Sequence, residues 1–325
     1  MARSRPRGPV VAPRSADGAP TGGPGGVLVV GDVINDILVR PLAGVTVDSD
    51  TRAEIVRSPG GSAANQACWL GRLGNQVTFV GRVGAFDHAF HTDFLAGFGV
   101  DARLAVDTAA ETGTIVIMVD PEGRRTMLTD RAANLNLTAD DVPADLLGSA
   151  SMLHLTGYSY FETGVRGAAM TLMDRARILG TPVSVDPSSV SFLREVGAEQ
   201  FLRWTAGAQL CFPNRDEAEA LTGTSDPMLG AARLTEHYGT AVVTLDGDGC
   251  VGASAGSEPV HVPADRVAAV DTTGAGDAFC AGFLDHWSRE PEPVEAARAG
   301  ARVAREAVAK MGARPSRVEV SGSTP

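Results

Sequence analysis

Short, continuously apolar runs that alternate with helical patterns constrain this chain more than any other feature. Val27-Leu28-Val29-Val30-Gly31 has no polar position on either side, so as a strand it must be covered on both faces. Further strands are predicted near 77–80, 152–155, 183–186, 209–212 and 241–245, with helical patterns at 62–70, 88–98, 165–179, 215–221 and 228–238. Ser62 reads as the N-cap of the first of these helices, which stops near Gly71 or Gly74. Strands separated by helices call for an α/β fold in which a mostly parallel sheet is covered on both faces.

Two stretches break the alternation. Residues 112–129 form a hairpin pattern that turns at Asp120-Pro121-Glu122-Gly123, and 33–58 lacks helical period but carries extended pieces at 45–47 and 54–56. Strands with no helix to cover them must pack elsewhere, which predicts a small β-sheet lid formed by about 37–58 and 103–130. Residues 1–26 are rich in Pro, Gly, Arg, Ser and Ala, and no apolar segment follows Arg3, Arg5 and Arg7, so they read as a disordered tail and not as a signal peptide. The folded domain is expected over 27–318, with 319–325 as a C-terminal tail.

Charge and composition narrow the function. A formal net charge of −11 opposes binding to a phosphate backbone, and no apolar run approaches the roughly 18–20 residues that cross a bilayer. Neither nucleic acid nor membrane is expected as a partner. Cys68, Cys211, Cys250 and Cys280 are widely spaced with no CxxC pair, which predicts buried, unpaired thiols and a cytoplasmic location. Lys310 is the only lysine and has no phosphate-loop, protein-kinase or Schiff-base context, so phosphate handling must fall to backbone amides and arginines.

Three segments carry the chemistry. In Asp271-Thr272-Thr273-Gly274-Ala275-Gly276-Asp277, small residues let backbone N–H groups approach an anion at the start of a helix that continues to Trp287. Asp277, in its first turn, is placed to take a proton from an alcohol beside a bound phosphate, although it also suits a simple helix cap. Gly60-Gly61-Ser62-Ala63-Ala64-Asn65 brings backbone close to a ligand and offers Asn65 to hydroxyls, or is a tight turn with a cap. Asn214 and Glu217, directly after a strand end, can order water around Mg2+ or form a capping box.

In this order and at these separations, the three segments resemble the ribokinase-like, or PfkB-type, carbohydrate kinases. Gly60 to Asn65 is similar to the first family signature, Asp271 to Phe279 to the second, and Asn214-Arg215-Asp216-Glu217 to the NxxE magnesium motif; the likeness runs from about Val27 to Ser316. The resemblance implies a Rossmann-like α/β/α three-layer body with a β lid, and transfer of the ATP γ-phosphoryl group to a sugar hydroxyl. It further implies Asp277 as catalytic base and Gly274, Ala275 and Gly276 as anion hole. By the same correspondence Asp36, Gly61 and Asn65 hold substrate, with Arg131 and Asn134 as further contacts. Asn214 and Glu217 organise magnesium and phosphates, and Thr244 and Gly249 lie along the nucleotide. A monovalent cation, K+, is implied at Asp271, Thr273, Gly312 and Ser316.

Some positions depart from the pattern. Ser62 stands where ribokinase proper has a lysine, Ile34 where it has an asparagine, and Asp246 where the family commonly has glycine near the phosphates. A nucleoside kinase on the same scaffold is the alternative reading, with a non-catalytic sugar-binding protein behind it; a homodimer through the lid sheet is expected. Gly247-Asp248-Gly249-Cys250-Val251-Gly252 matches GxGxxG, but an extended segment follows it where a dinucleotide site needs a helix. His88 and His91 have a spacing that permits shared metal ligation; without a further ligand motif they read as a solvated helix face.

Overall fold

The computed structural model describes residues 25–316 except 121 and 123; of the expected tails, 1–26 and 319–325, residues 1–24 and 319–325 lie outside the described residues, while Gly25 and Gly26 bond to the backbone of Ser149 and Ser151 and so belong to the body. In chain order the strands are β1 (Val27–Val30), β2 (Ile34–Pro41), β3 (Ala53–Gly60), β4 (Val77–Gly84), β5 (Val100–Asp107), β6 (Gly113–Val119), β7 (Arg125–Asp130), β8 (Met152–Thr156), β9 (Val183–Asp186), β10 (Leu210–Cys211), β11 (Thr240–Thr244), β12 (Cys250–Ser254) and β13 (Val260–Val262). The large sheet runs β13, β12, β11, β10, β9, β8, β1, β4, β5. It is parallel from β5 to β11 and ends in the antiparallel β12 and β13.

β1 shows why the body has three layers. Its four side chains are buried, and alternation sends them to opposite faces. Val27 and Val29 join Ala67, Leu70 and Phe283 in one core, whereas Leu28 and Val30 join Tyr160, Leu172 and Phe201 in the other. The helices Ser62–Arg72, Ala275–Trp287 and Pro293–Val308 cover the first face. Pro293–Val308 was not anticipated from sequence, although Glu292 caps it through the amides of Val294 and Glu295. It lies so close to Ala275–Trp287 that a Cβ on Gly300 would meet the Phe279 carbonyl oxygen at 2.8 Å.

The second sheet runs β3, β2, β6, β7 and is the small sheet expected from the hairpin pattern. Its register sets Asp36 beside Ile115 and Ser58, and Leu38 beside Ile117 and Val56, with Met127 opposite Ile117. Asp36, Ile115, Ile117 and Met127 all line the cleft between the sheets, so this face looks toward the body. Three local expectations change. Residues 103–107 belong to β5 and extend the large sheet, because β5 pairs with β4 along its whole length. Residues 45–47 lie in the connection between β2 and β3 and form no strand. Gly61, not Ser62, is the N-cap of the helix Ser62–Arg72: at φ 99° it makes a turn that a Cβ would drive into the Asp32 carbonyl oxygen at 2.5 Å.

Candidate active site

The carboxyl ends of β1, β8, β9 and β11 open into a cavity of about 260 Å3 beneath the small sheet, the crevice where open α/β sheets bind ligands. Asp277 stands at its floor, in the first turn of the helix Ala275–Trp287, whose N-cap is Gly274 at φ 73°. A Cβ on Gly274 would collide with Ala313 at 2.6 Å, so glycine is required for both conformation and space. No backbone carbonyl among the described residues accepts from the amides of Gly274, Gly276 and Asp277, while that of Ala275 turns to the Thr272 carbonyl at 3.3 Å. Unpaired first-turn amides with the positive end of the helix dipole make an anion site.

Three side chains of the helix Ser62–Arg72 hold Asp277. Ser62 Oγ donates to Oδ1 at 2.6 Å, Gln66 Nε2 to Oδ1 at 3.1 Å, and Asn65 Nδ2 to Oδ2 at 2.9 Å. Burial, with some repulsion from Asp186, nevertheless pushes the Asp277 carboxyl up to about 7 against those hydrogen bonds, the range suited to a base working near neutrality.

Gln66 was not anticipated, yet it ties the floor together. Its Nε2 also donates to Asp186 Oδ2 at 2.7 Å, and its Oε1 faces His154 Nε2. Burial pushes His154 down to about 3, so its ring is neutral; Nδ1 meets Ser184 Oγ at 2.7 Å. The assignment that satisfies all partners has Nε2–H donating to Gln66 Oε1, which turns the amide nitrogen toward both carboxylates. Gln66 lies one helical turn after Ser62, so helical spacing was its available signal.

Asp36 projects from β2 into the same cavity, and Gly60 leaves it room: a Cβ there would lie 2.0 Å from Asp36 Oδ2. Burial raises its carboxyl to about 6, opposed by Arg314 and raised further by Asp32. No hydrogen bond to this carboxylate occurs among the described residues, so its acceptors are available to hydroxyls. Arg314, also unanticipated, donates Nε to Asn65 Oδ1 at 2.7 Å and Nη2 to the Gly60 carbonyl at 2.8 Å. Arg131 pairs with Asp32 at 3.0 Å and lies over the Tyr158 ring at 3.8 Å.

Other expected residues take different places. Asn134 is fully committed to backbone: it accepts from Val33 N at 2.9 Å and donates to the carbonyls of Val33 and Arg131. It therefore shapes the β1–β2 corner and has no free group for a substrate. Thr244 lines the cavity beside Asn214, but Gly249 packs under the β11–β12 turn, where a Cβ would meet the Val262 carbonyl at 2.1 Å. The GxGxxG stretch is thus a hairpin turn, as its lack of a following helix implied. Asp246 takes φ 52°, a conformation that explains glycine at this place, and the nearby arginine, Arg215, pairs with Asp248 instead. His91 is buried and hydrogen-bonds Asn35 at 3.1 Å, which corrects the solvated-face expectation. The four cysteines are buried and none is in a disulfide among the described residues, as expected.

Asn214 and Glu217 do form a capping box, each side chain bonding the other's backbone amide at 2.9 Å. The box uses only one Glu217 oxygen. Burial raises the carboxyls of Asp186 and Glu217, with repulsion from Glu217 adding to it at Asp186 and repulsion from Asp216 at Glu217. Two carboxylates that line one cavity fit a hydrated magnesium ion.

The proposed K+ ligands do not fit such an ion. Asp271 Oδ1 accepts from Thr273 N at 2.9 Å and Thr273 Oγ at 2.6 Å, and Oδ2 from Gly312 N at 3.0 Å. Arg125, from β7, donates Nη2 to Asp271 Oδ1 at 2.7 Å and Nη1 to Thr273 Oγ. A guanidinium already stands against this carboxylate, Gly312 offers it a donor, and Ser316 is exposed.

Comparison with known proteins agrees with this geometry. The model of the family described as pfkB family carbohydrate kinase matches residues 25–319. The chain is 32% identical over 274 residues to a fructokinase of Klebsiella pneumoniae, covering 80% of this chain and 83% of the relative. The crystal structure of adenosine kinase from Sinorhizobium meliloti superposes with TM-score 0.77 at 25% identity, over 91% of this chain and 96% of the other. An uncharacterized sugar kinase from Pyrococcus horikoshii, in complex with ATP, shares the fold at TM-score 0.76 and 21% identity, over 88% and 93%. Sheet order, a glycine-capped helix bearing Asp277, and a match along nearly the whole described chain lead to one assignment: the protein belongs to the pfkB family of carbohydrate kinases.

Proposed function

We propose that this kinase transfers the γ-phosphoryl group of ATP to a hydroxyl of a small carbohydrate, with Asp277 as the base. The observation that carries the reading is the Asp277 carboxylate itself, half-buried and raised to about 7, beside unpaired amides at the start of its own helix. The terminal phosphate lies against the amides of Gly274, Gly276 and Asp277, which stabilise charge that builds on its oxygens. A sugar bound by Asp36, the Gly61 turn and Asn65 presents its hydroxyl to Asp277, which takes the proton as the oxygen attacks phosphorus. Thr244 and Asn214 border the phosphate end of the cavity. Asn214, Glu217 and Asp186 are the residues that would hold a hydrated Mg2+; when bound, the ion neutralises phosphate charge. ATP in the P. horikoshii neighbour, which shares the fold, supports this donor.

Within a kinase domain of 27–318 the small sheet acts as a lid over the cavity, with Ile115, Ile117 and Met127 as an aliphatic ceiling that excludes water. Its outer face presents Ile37, Val39, Ile55, Val116, Met118 and Leu128 by strand parity, with Ile55 61% and Leu128 57% exposed, which supports a homodimer through this sheet. Four buried cysteines outside any disulfide support a cytoplasmic setting, and no helix among the described residues is long and apolar enough to cross a membrane. The adenosine kinase neighbour keeps a nucleoside acceptor as the second reading. The fructokinase relative and the aliphatic ceiling support the sugar: Tyr158, the tyrosine lining the cavity, is covered by Arg131.

The test is ADP release over pentoses, hexoses, keto-deoxy sugar acids and nucleosides with Mg-ATP, for wild type and Asp277→Asn. Turnover on a sugar that Asp277→Asn lowers by about 100-fold or more is expected. A nucleoside as best substrate selects the second reading, and a fully active Asp277→Asn variant removes the base from this role.

A further inference from the structure

Arg125 is unused by the reaction above, yet it spans the two sheets at the anion loop. It closes the cleft-facing row of β7, two and four residues from Met127 and Thr129, so strand parity aims it at the body. There it meets Asp271 and Thr273, and Thr273 immediately precedes Gly274, the N-cap of the Asp277 helix. The Asp271 side chain is only 9% exposed. Burial alone would raise its carboxyl, but the donors from Thr273, Gly312 and Arg125 together hold it well below the usual carboxylate range. Of those donors Arg125 is the charged one. Without it a buried carboxylate would stand unneutralised three residues before the anion hole, where it would repel phosphate and pull the loop toward solvent.

We propose that Arg125 is the resident cation of the anion loop: its guanidinium takes, against Asp271 and Thr273, the position a monovalent metal ion would otherwise fill. Phosphoryl transfer then needs no potassium, and the loop is ordered only when the small sheet delivers its arginine. Arg125 is in this sense a positioning residue, acting on phosphate through Asp271 and the 272–276 backbone. The inference rests on the kinase reading of Asp277.

The experiment compares wild type, Arg125→Ala and Arg125→Lys on the best sugar in KCl, NaCl and tetramethylammonium chloride at one ionic strength, with thermal unfolding alongside. Wild type is expected to run at one rate in all three salts. Arg125→Ala loses about 10–100-fold in tetramethylammonium and regains rate with K+ or with millimolar guanidinium, a rescue that a merely structural contact would not show. Arg125→Lys, which keeps the charge without the fork, falls between them. Potassium raises the unfolding midpoint of Arg125→Ala by about 2–4 °C over tetramethylammonium and leaves wild type unmoved. Potassium-dependent turnover of wild type, an unimpaired Arg125→Ala, or an impaired one that neither K+ nor guanidinium restores would each overturn the inference. If wild type turns over no substrate, the kinase reading fails on its own. The unfolding data still decide the cation: equal potassium responses in wild type and Arg125→Ala refute it.

Discussion

Asparagine at position 277 should make the protein more stable while it stops the reaction, and the gain should grow with pH. Folding lifts the Asp277 carboxyl from its ordinary 3.8 to about 7, chiefly by burial. A carboxyl raised in this way keeps its proton in the folded state at pH values where the unfolded chain has lost it. Its contribution to stability is therefore complete below about pH 4 and is lost as pH climbs to about 7. About three pKa units at about 1.4 kcal/mol each give an upper value of about 4 kcal/mol at pH 8. Partial exposure, and the lost charge-assisted bonds from Ser62, Asn65 and Gln66, reduce the expectation to about 1–3 kcal/mol. For a domain of this size that is a rise in unfolding midpoint of about 2–8 °C at pH 8. Most of the gain should disappear by pH 4. Differential scanning fluorimetry of wild type and Asp277→Asn from pH 4 to 8, with ADP-release assays on the same samples, makes the measurement. An Asp277→Asn variant less stable than wild type at pH 8, or a gain that does not change with pH, would refute the claim that a strained, desolvated carboxylate stands in this site.

Two other perturbations follow from the geometry. Gln66→Met removes a donor from both Asp277 and Asp186, and the lost bond to Asp277 raises its carboxyl further. The acid limb of kcat/KM should move up by about half to one pH unit while the plateau at high pH stays close to wild type; an unmoved limb would mean that Gln66 does not set the basicity of Asp277. Asp246→Gly replaces a residue at φ 52° and removes the carboxylate that the family resemblance sets near the phosphates. KM for ATP should fall, more at low salt than at high, with stability changed by about 1 kcal/mol or less; a salt-independent KM would place Asp246 outside the field of the phosphates.

Much of this architecture was legible in the linear chain, for a physical reason. A strand covered on both faces is largely apolar, so β1 and β11 announced themselves within a few residues, whereas β8 and β9 carry the buried polar His154, Ser184 and Asp186 among their apolar neighbours. Helix starts carry local chemistry, and the Asn214–Glu217 capping box and the small residues before Asp277 are visible for that reason. Asp277 and Asn65, expected from two separated motifs, and Asp36, implied by the family resemblance, do converge on one cavity. Asn134 and Gly249 did not, because a side chain committed to a backbone corner and a glycine packed under a turn look the same in sequence as ligand contacts. Residues 103–107 were misplaced because an edge strand and a hairpin strand share one period, and only pairing partners distinguish them.

What the chain determined alone is therefore whatever short-range physics controls: the alternation of strand and helix, the glycine-capped helix start, and the carboxylate in its first turn. What the tertiary structure decided depends on groups distant in sequence. Gln66 joins Asp277 to Asp186 and His154, Arg314 reaches Asn65 across 249 residues, and Arg125 crosses from the small sheet to Asp271. A carboxylate becomes a base near pH 7 only through the desolvation and neighbours that packing supplies. An arginine becomes a cation for a loop only when the sheet that carries it folds over that loop.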